Sequence, residues 1–583
     1  MKRIRKGGRS ATRLITSLAI VLGLGLSTAA CTSDGGGTDG GSGSGEPQSG
    51  GDVTVLLDAG FAGGWATGLD PATSNTTGAN LPQNSAIFGG LFTLEADADG
   101  SNARIEPNQA ESYEWSEDGL TLTVTLRDGI TFTDGTDMNA EAVVWNWIRL
   151  LNSGSTGAPR LQLDTTGEAP DLSDEFMDSL WAALPEDVDE ATVMGHLAAI
   201  QATGDLTVQM KLLAVDGSLV NGFPASALNL IASPSAYAEA GGEEFSLMPV
   251  GAGPFIITSN SMSDRLELER NPDYFKDGLP YLDAINFQAV GGDQVAYQTL
   301  LAGQGDIIEG LSAVTLIQEA EGNPDVAVYP GVPTSPYVVQ LNTRVPPFDD
   351  IKAREAIYYA TDFSAINEGL FKGDGEMSQS FTASGGLFWN PEVEGYREYD
   401  LDKAKALVDE MGGLTVTLGT TDIVTARSVN TALQTQWKEA GIDVEITAQP
   451  LGDVINDFLG GQWQAMLQTA GAWDPSVGIG VGVRFGSTSP FSGAPLPAEE
   501  GGTTELDDLL AAAVSTIDPD ERKMYYDEIA KFISDEAYAP FGMAFTPAQV
   551  VRQGVHGPGL DEPIPALAVN EGVLYDRVWV ESD

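Results

Sequence analysis

Cysteine, histidine and basic residues are all scarce in this 583-residue sequence. Cys31 is the single cysteine, so the chain has no internal disulfide. The two histidines, His196 and His556, lie far apart and have no cysteine beside them, so we expect no metal site and no cofactor. Lysine and arginine number 29 against 84 aspartates and glutamates. The resulting net charge of −55 excludes nucleic-acid binding, which needs cations opposite phosphates.

Long apolar runs are also missing beyond the first thirty residues, so no later segment is predicted to span a membrane. The first thirty differ from the rest. A run of cations precedes a short apolar stretch at 14–26, and small residues at 28–30 lead directly into Cys31. This layout predicts a secretory signal peptide over residues 1–30 and lipidation of Cys31. The alternative is a plain signal peptide cut near Ala30, which leaves a free thiol.

The segment after the cysteine, residues 31–50, is rich in glycine and serine and has almost no apolar side chains. It cannot bury enough surface to fold, so it predicts a flexible tether. The remaining chain, about 530 residues, is too long for one compact core and predicts two or three lobes.

Strand and helix patterns alternate along this remaining part. Apolar residues at every second position of Leu120–Leu126 predict a half-buried strand, with Ile130–Thr133 as its hairpin partner. Asn139 is a candidate N-cap of a helix. Asp400 and Gly412 are candidate N-cap and C-cap residues of another. The fold class is therefore α/β to mixed α+β.

One stretch, near residues 153–199, is acidic and interrupted by glycine and proline. Leu180, Trp181 and Leu184 predict some helix within it. We interpret this acidic insertion as an addition to the surface of one lobe.

Several ordered segments resemble one protein family. They are ESYEWSEDGLTLTVTLRDGITFTDGTDMNAEAVVWNW, VGAGPFIITSN, NTRVPPFDDIKAREAIYYATDFSAI, YDLDKAKALVDEMG and DPDERKMYYDEIAKFISDEAYAPF. In this order they resemble the bacterial extracellular solute-binding proteins of family 5, which include dipeptide and oligopeptide binders. The resemblance extends from about Gly51 to the C-terminal region.

The resemblance implies a two-lobed, periplasmic-binding-protein-like fold of the larger class, with an extra subdomain and a ligand cleft between the lobes. Lobe I would comprise residues 51–88, 228–335 and 548–583, the inserted subdomain 89–227, and lobe II 336–547. The implied function is capture of di- or oligopeptides for an ABC importer. The expected partners are the permease subunits with their cytoplasmic ATPase. We expect an exported monomer, anchored by lipid on the outside of the cytoplasmic membrane, that is not an enzyme.

Other cargoes and one other class of function are left open. Ten tryptophans suit stacking on sugars, so oligosaccharides are an alternative ligand. Opines and metal chelates are further alternatives in the same fold. A secreted hydrolase that uses a pair of carboxylates is the remote alternative, because acids are abundant but none has a catalytic spacing.

The segment 468–475 resembles the part of lobe II that lines the cleft in this family. The backbone of Ala470, Gly471 and Ala472 would pair with an extended ligand. Trp473 would stack on that ligand, and Asp474 would either pair with its amine or cap a helix. Dipeptide binders carry an additional aspartate before this Asp-Pro pair, and its absence here weakens the case for short peptides.

Four further residues are candidates for ligand contact. Phe61 and Trp65 follow the first predicted strand, in a loop that contains Gly63 and Gly64. Trp389 lies in a loop that faces the cleft in relatives, where it would line the cleft or anchor the loop. Arg484 follows a glycine-rich run and would meet a ligand carboxylate.

Overall fold

The computed structural model describes residues 46–58, 68–74, 80–95, 104–155, 161–421, 424–449, 451–461, 463–470, 478–489, 491–495, 502–562 and 573–582. None of the helices in these ranges is long and apolar enough to cross a bilayer. Cys31, the signal peptide at 1–30 and residues 31–45 of the tether lie outside them.

The strands follow one another along nearly the whole described chain. In chain order they are β1 (Asp52–Asp58), β2 (Phe92–Glu95), β3 (Arg104–Pro107), β4 (Ala110–Trp115), β5 (Thr121–Leu126), β6 (Ile200–Gly204), β7 (Thr207–Lys211), β8 (Phe255–Ser261), β9 (Arg265–Arg270), β10 (Ala284–Val290), β11 (Ile307–Leu311), β12 (Val326–Pro330), β13 (Tyr337–Leu341), β14 (Glu376–Met377), β15 (Leu414–Thr421), β16 (Ile442–Gln449), β17 (Ala465–Thr469), β18 (Met543–Ala544), β19 (Ala548–Arg552), β20 (Val555–His556) and β21 (Trp579–Val580).

The helices are interspersed with these strands. They are α1 (Leu81–Phe88), α2 (Ala140–Leu151), α3 (Asp174–Ala183), α4 (Glu190–Ala199), α5 (Pro234–Ala240), α6 (Gly242–Leu247), α7 (Asp293–Leu301), α8 (Val314–Glu321), α9 (Ile351–Ala360), α10 (Phe363–Ile366), α11 (Leu401–Met411), α12 (Val424–Glu439), α13 (Leu451–Gly460), α14 (Gly478–Phe485), α15 (Glu505–Val514) and α16 (Pro519–Asp535).

A seven-stranded mixed sheet in the order β12-β19-β11-β1-β10-β9-β8 is built from stretches far apart in the chain. Its central strand β1 runs parallel to both β10 and β11. Val53, Val55 and Leu57 belong to the core on one face, and Leu56 belongs to the core on the other. Both faces are therefore covered, which explains why Val55, Leu56 and Leu57 form an unbroken apolar run.

A smaller sheet in the order β13-β17-β15-β16 positions the candidate site. Strands β16 and β17 both run parallel to β15, and β13 runs antiparallel to β17. The carboxyl ends of the three parallel strands therefore meet at one edge, together with the beginning of β13. In α/β sheets ligands bind at such an edge.

The third large sheet, β4-β5-β7-β6, is wholly antiparallel and packs on α2. Burial alternates along β5, as its sequence predicts. The predicted hairpin partner Ile130–Thr133 is wrong, because β4 and β7 occupy both edges of β5. Residues 130–133 instead lead into a turn at 133–135, with a single bridge between Thr131 and Asp137.

The acidic insertion contributes side chains to the core beneath this sheet. Its helices α3 and α4 bury Phe176, Leu180, Val193 and Leu197 in that core. The acids lie on the opposite faces of the same helices, so the insertion is part of the packed body as well as of its surface.

The predicted helix caps are confirmed. The side chain of Asn139 accepts a hydrogen bond from the amide of Ala142 at the start of α2. Asp400 caps α11 in the same way, and Gly412 ends that helix in the left-handed conformation with φ of 78°. Local sequence alone therefore determines where these helices begin and end.

A buried ion pair joins the segment after β1 to helix α2. Both guanidinium amines of Arg149 donate to the carboxylate of Asp70, one at 2.9 Å, and the side chains are only 2% and 1% exposed. The guanidinium also lies 4.2 Å from the ring centre of Tyr237 and 5.2 Å from that of Trp145.

A tight backbone contact joins the loop after β7 to helices α15 and α16. The amide of Gly217 donates to the carbonyl of Val514 at 2.7 Å. Arg522 donates to the carbonyl of Gly217, also at 2.7 Å. A Cβ atom on Gly217 would lie 1.8 Å from the carbonyl oxygen of Thr516, so only glycine fits here.

Candidate functional site

A cavity of about 400 Å³ opens at the carboxyl ends of β15 and β17, beside the start of β13. Helices α12, α13 and α14 complete its wall. Its volume lies within the usual range for ligand pockets. The lining residues are Tyr337, Thr420, Thr421, Ala426, Val454, Phe458, Met466, Leu467, Gln468, Thr469, Val483, Arg484 and Phe491. We call this space the strand-end cavity.

Most of the wall of the strand-end cavity is apolar. Phe458 and Phe491 lie against each other with ring centres 5.5 Å apart. Met466 packs over Gly419, where a Cβ atom would lie 2.3 Å from the Met466 sulfur. Gly419 therefore allows the thioether to lie flat against the sheet and keeps the space above it open.

Neutral polar groups lie along the sheet edge of the cavity. Nε2 of Gln468 donates to Oε1 of Gln340, and Nε2 of Gln340 donates to the carbonyls of Arg484 at 2.6 Å and Phe491 at 2.9 Å. This chain fixes the orientation of Gln468 and leaves its own Oε1 as an acceptor at the cavity. Tyr337 lies directly opposite Thr469 in the sheet, so these groups share one edge.

The Tyr337 hydroxyl is held in an apolar setting. Burial raises the pKa of Tyr337 to about 12, and no hydrogen bond contributes to that shift. The phenol is therefore neutral at any physiological pH, and a neutral phenol can donate a hydrogen bond.

Arg484, a predicted ligand contact, lies on the cavity wall in the last turn of α14. Burial lowers the pKa of its guanidinium to about 9, so it still carries its charge at neutral pH. The side chain already has an interaction partner within the protein. Its contact with a ligand carboxylate stays a prediction.

Ala470 and Trp389, two further predicted contacts, do not line the strand-end cavity. Ala470 directly follows β17 and is fully buried, and its amide donates to the carbonyl of Pro336 at 2.8 Å. The sheet therefore uses this amide, and a contact between the carbonyl of Ala470 and a ligand stays a prediction. Trp389 is half-buried and does not line the cavity, and the neighbouring Phe388 stacks on Tyr526 at 4.8 Å.

The other predicted contacts lie outside the described residues. They are Phe61, Trp65, Gly471, Ala472, Trp473 and Asp474. In the sequence, residues 471–477 lie between β17 and α14.

Sequence reasoning missed most of the cavity lining. Tyr337, Thr420, Phe458 and Phe491 come from four separate segments, and none has a motif of its own. Gln468 lies in the segment predicted to line the cleft but was not singled out. The available signal was the position of Thr420 at the end of a parallel strand, where ligand groups are common.

Two further cavities among the described residues are lined by none of the residues that the sequence singled out as ligand contacts. One, of about 560 Å³, lies beside Asn108, Arg127 and Lys276. The other, of about 400 Å³, lies beside Asp362 and Arg397. Within the described ranges no three His, Cys, Asp or Glu side chains are grouped so as to hold a metal ion.

The mixed α/β architecture is that of the two-lobed periplasmic binding proteins. The model of the bacterial extracellular solute-binding proteins, family 5 Middle, matches residues 104–489. The chain belongs to this family of solute-binding proteins.

Three relatives illustrate the likeness. The glutathione-binding protein GsiB of Escherichia coli K12 is 27% identical over 505 residues, which cover 83% of this chain and 87% of GsiB. The structure of Helicobacter pylori DppA in complex with the peptide STSA has a TM-score of 0.68 at 19% identity, and the match covers 92% of this chain and 99% of DppA. AgaA of A. tumefaciens R10, solved with agropinic acid, has a TM-score of 0.68 at 21% identity, and the match covers 91% of this chain and 99% of AgaA.

Proposed function

We propose that this chain is the capture subunit of an ABC importer and that it binds peptides and delivers them to a membrane permease. The observation that carries the proposal is a ligand-sized cavity at a sheet edge in a chain of the family 5 solute-binding proteins. Gln468 and Tyr337 supply an acceptor and a donor there, as a peptide backbone requires. Relatives named for glutathione or solved with peptides support this cargo.

The proposed lobes follow the sheets. Lobe I would comprise 51–88, 228–335 and 548–583 around the seven-stranded sheet. The inserted subdomain would comprise 89–227, and lobe II 336–547 would carry the strand-end cavity. Closure of the two lobes would exclude water from the ligand. This closure fits a role in binding and not in catalysis.

The cargo is tested by thermal unfolding of the full-length chain, purified from the membrane fraction in mild detergent. Glutathione, dipeptides, longer peptides, opines and oligosaccharides are each added at millimolar concentration. A ligand at 100 times its Kd stabilises the folded state by about 2.7 kcal/mol, which raises the melting temperature measurably. A shift with an opine or a sugar, and none with any peptide, would show that the peptide assignment is wrong.

We also propose that lipid on Cys31 holds an exported monomer at the outer face of the cytoplasmic membrane. The N-terminal layout and the absence of later apolar runs in the sequence support this anchor. Cys31→Ser is expected to move the protein from the membrane fraction to the soluble fraction. Continued membrane association of that variant would contradict lipidation.

A further inference from the structure

The strand-end cavity has walls and an edge of different chemistry. Phe458, Met466 and Val483 present apolar surface, whereas Gln468 and Tyr337 place neutral polar groups along the sheet edge. The polar groups suit a ligand backbone that passes the edge. The walls suit a side chain that enters between them.

Size and charge restrict what that side chain is. An apolar cavity of about 150 Å³ already holds a benzene molecule, so about 400 Å³ accommodates an aromatic or long aliphatic side chain. Among the described residues of the lining, Arg484 is the one that carries a charge, and it already takes part in an interaction within the protein. An ammonium group would lose its hydration against the phenyl rings with little return.

We propose that the strand-end cavity is a specificity pocket for one bulky apolar residue of the peptide, such as Leu, Met or Phe. This inference rests on the proposed peptide-binding function. It adds the chemical class of the cargo and names Ala426, Phe458 and Phe491 as residues that set its size. An oligosaccharide, which needs hydrogen bonds on every side, does not suit such walls.

The test uses the full-length chain and tripeptides in which Gly, Asp, Lys, Leu, Met or Phe replaces one residue of Gly-Gly-Gly, at each position in turn. At one position we expect Leu, Met and Phe to bind on the order of 10- to 100-fold more tightly than Gly, since burial of such a side chain contributes that much. Lys at that position is expected to bind no better than Gly, and Asp is expected to bind less tightly than Leu, Met or Phe.

Two variants connect this preference to the cavity. Ala426→Phe adds a ring to the cavity wall on α12 and is expected to abolish the preference for bulky residues. Thr431→Phe is the matched control, because it adds the same ring on the exposed face of the same helix. Phe491→Ala enlarges the cavity and is expected to shift the preference toward Trp, which keeps the test valid even if Ala426→Phe does not fold.

The outcomes separate the two proposals. Peptides that bind without any preference, or a preference that survives both Ala426→Phe and Phe491→Ala, would overturn the pocket and leave peptide capture standing. A preference for Asp would overturn it as well. If no peptide binds and a sugar or opine does, both proposals fail.

Discussion

The buried pair of Asp70 and Arg149 allows a quantitative test of how the core around α2 is held together. Asp70→Asn removes the negative charge but keeps the shape, and it leaves the guanidinium of Arg149 buried without compensation. Removal of one partner from a buried ion pair costs about 3–5 kcal/mol of unfolding free energy. The pair here is 1–2% exposed and makes two parallel hydrogen bonds, so the full range applies.

The expected shift in melting temperature follows from the size of the unit that unfolds. For a unit of 150–250 residues, 1 kcal/mol corresponds to about 2–4 °C, so Asp70→Asn is expected to lower the melting temperature by about 6–20 °C. Urea unfolding followed by tryptophan fluorescence reports on this unit directly, because Trp145 and Trp147 are fully buried in its core.

A double variant and a surface control complete the experiment. Asp70→Leu combined with Arg149→Met removes both charges, so it is expected to lose less than the sum of the two single changes. Arg104→Met breaks an ion pair with Glu106 that is over 40% exposed on both sides, and is expected to change stability by less than about 1 kcal/mol. The reasoning would be refuted by an Asp70→Asn variant within 1 kcal/mol of the parent, or by strictly additive losses in the double variant.

Three further outcomes are expected. Gly217→Ala should break the backbone contact with Val514, because the added Cβ would lie 1.8 Å from the carbonyl oxygen of Thr516. We expect faster amide hydrogen exchange in α15 and α16, and unchanged exchange would contradict this. Burial raises the pKa of Glu309 from 4.5 to about 7. Between pH 4.5 and pH 7 the folded state therefore keeps a proton on Glu309 that the unfolded state has lost. The free energy of unfolding is expected to fall by up to about 3 kcal/mol as the pH rises through this range. Glu309→Gln should reduce the difference in the free energy of unfolding between pH 5 and pH 8, as measured by denaturant titration. An unchanged difference would contradict the role of Glu309. Finally, 1 M NaCl shortens the screening length between charges to about 3 Å, from about 10 Å at 0.1 M. Because the chain has a net charge of −55, we expect it to melt at a higher temperature in 1 M NaCl. A constant or lower melting temperature would show that repulsion between its negative charges is unimportant.

Local features were predictable because they depend on neighbouring residues. The alternation in β5, the cap at Asn139 and the left-handed Gly412 each involve contacts within a few positions of the chain. The strand that pairs with β5 was not predictable in this way, and the prediction of 130–133 was wrong, because several strands compete for the edges of β5. That competition is decided by β7, about eighty residues further along the chain.

The candidate site shows the same division. Arg484 was predicted as a ligand contact, and the structure places it at the same cavity as Gln468 and Thr469, the first two residues of the predicted segment. Ala470 was predicted as a ligand contact, but the position of Pro336 uses its amide within the protein. The apolar walls were not predicted, because Phe458 and Phe491 become a site only when α13 and the segment after α14 come together.

The sequence by itself determined the family, the mixed α/β class and the expectation of export, because these depend on composition and on the order of local segments. It also determined the large negative charge, which is a sum over residues and needs no fold. The tertiary structure alone decided the shape and chemistry of the strand-end cavity. Its lining comes from three strands, three helices and a loop, and only long-range packing brings their side chains within contact.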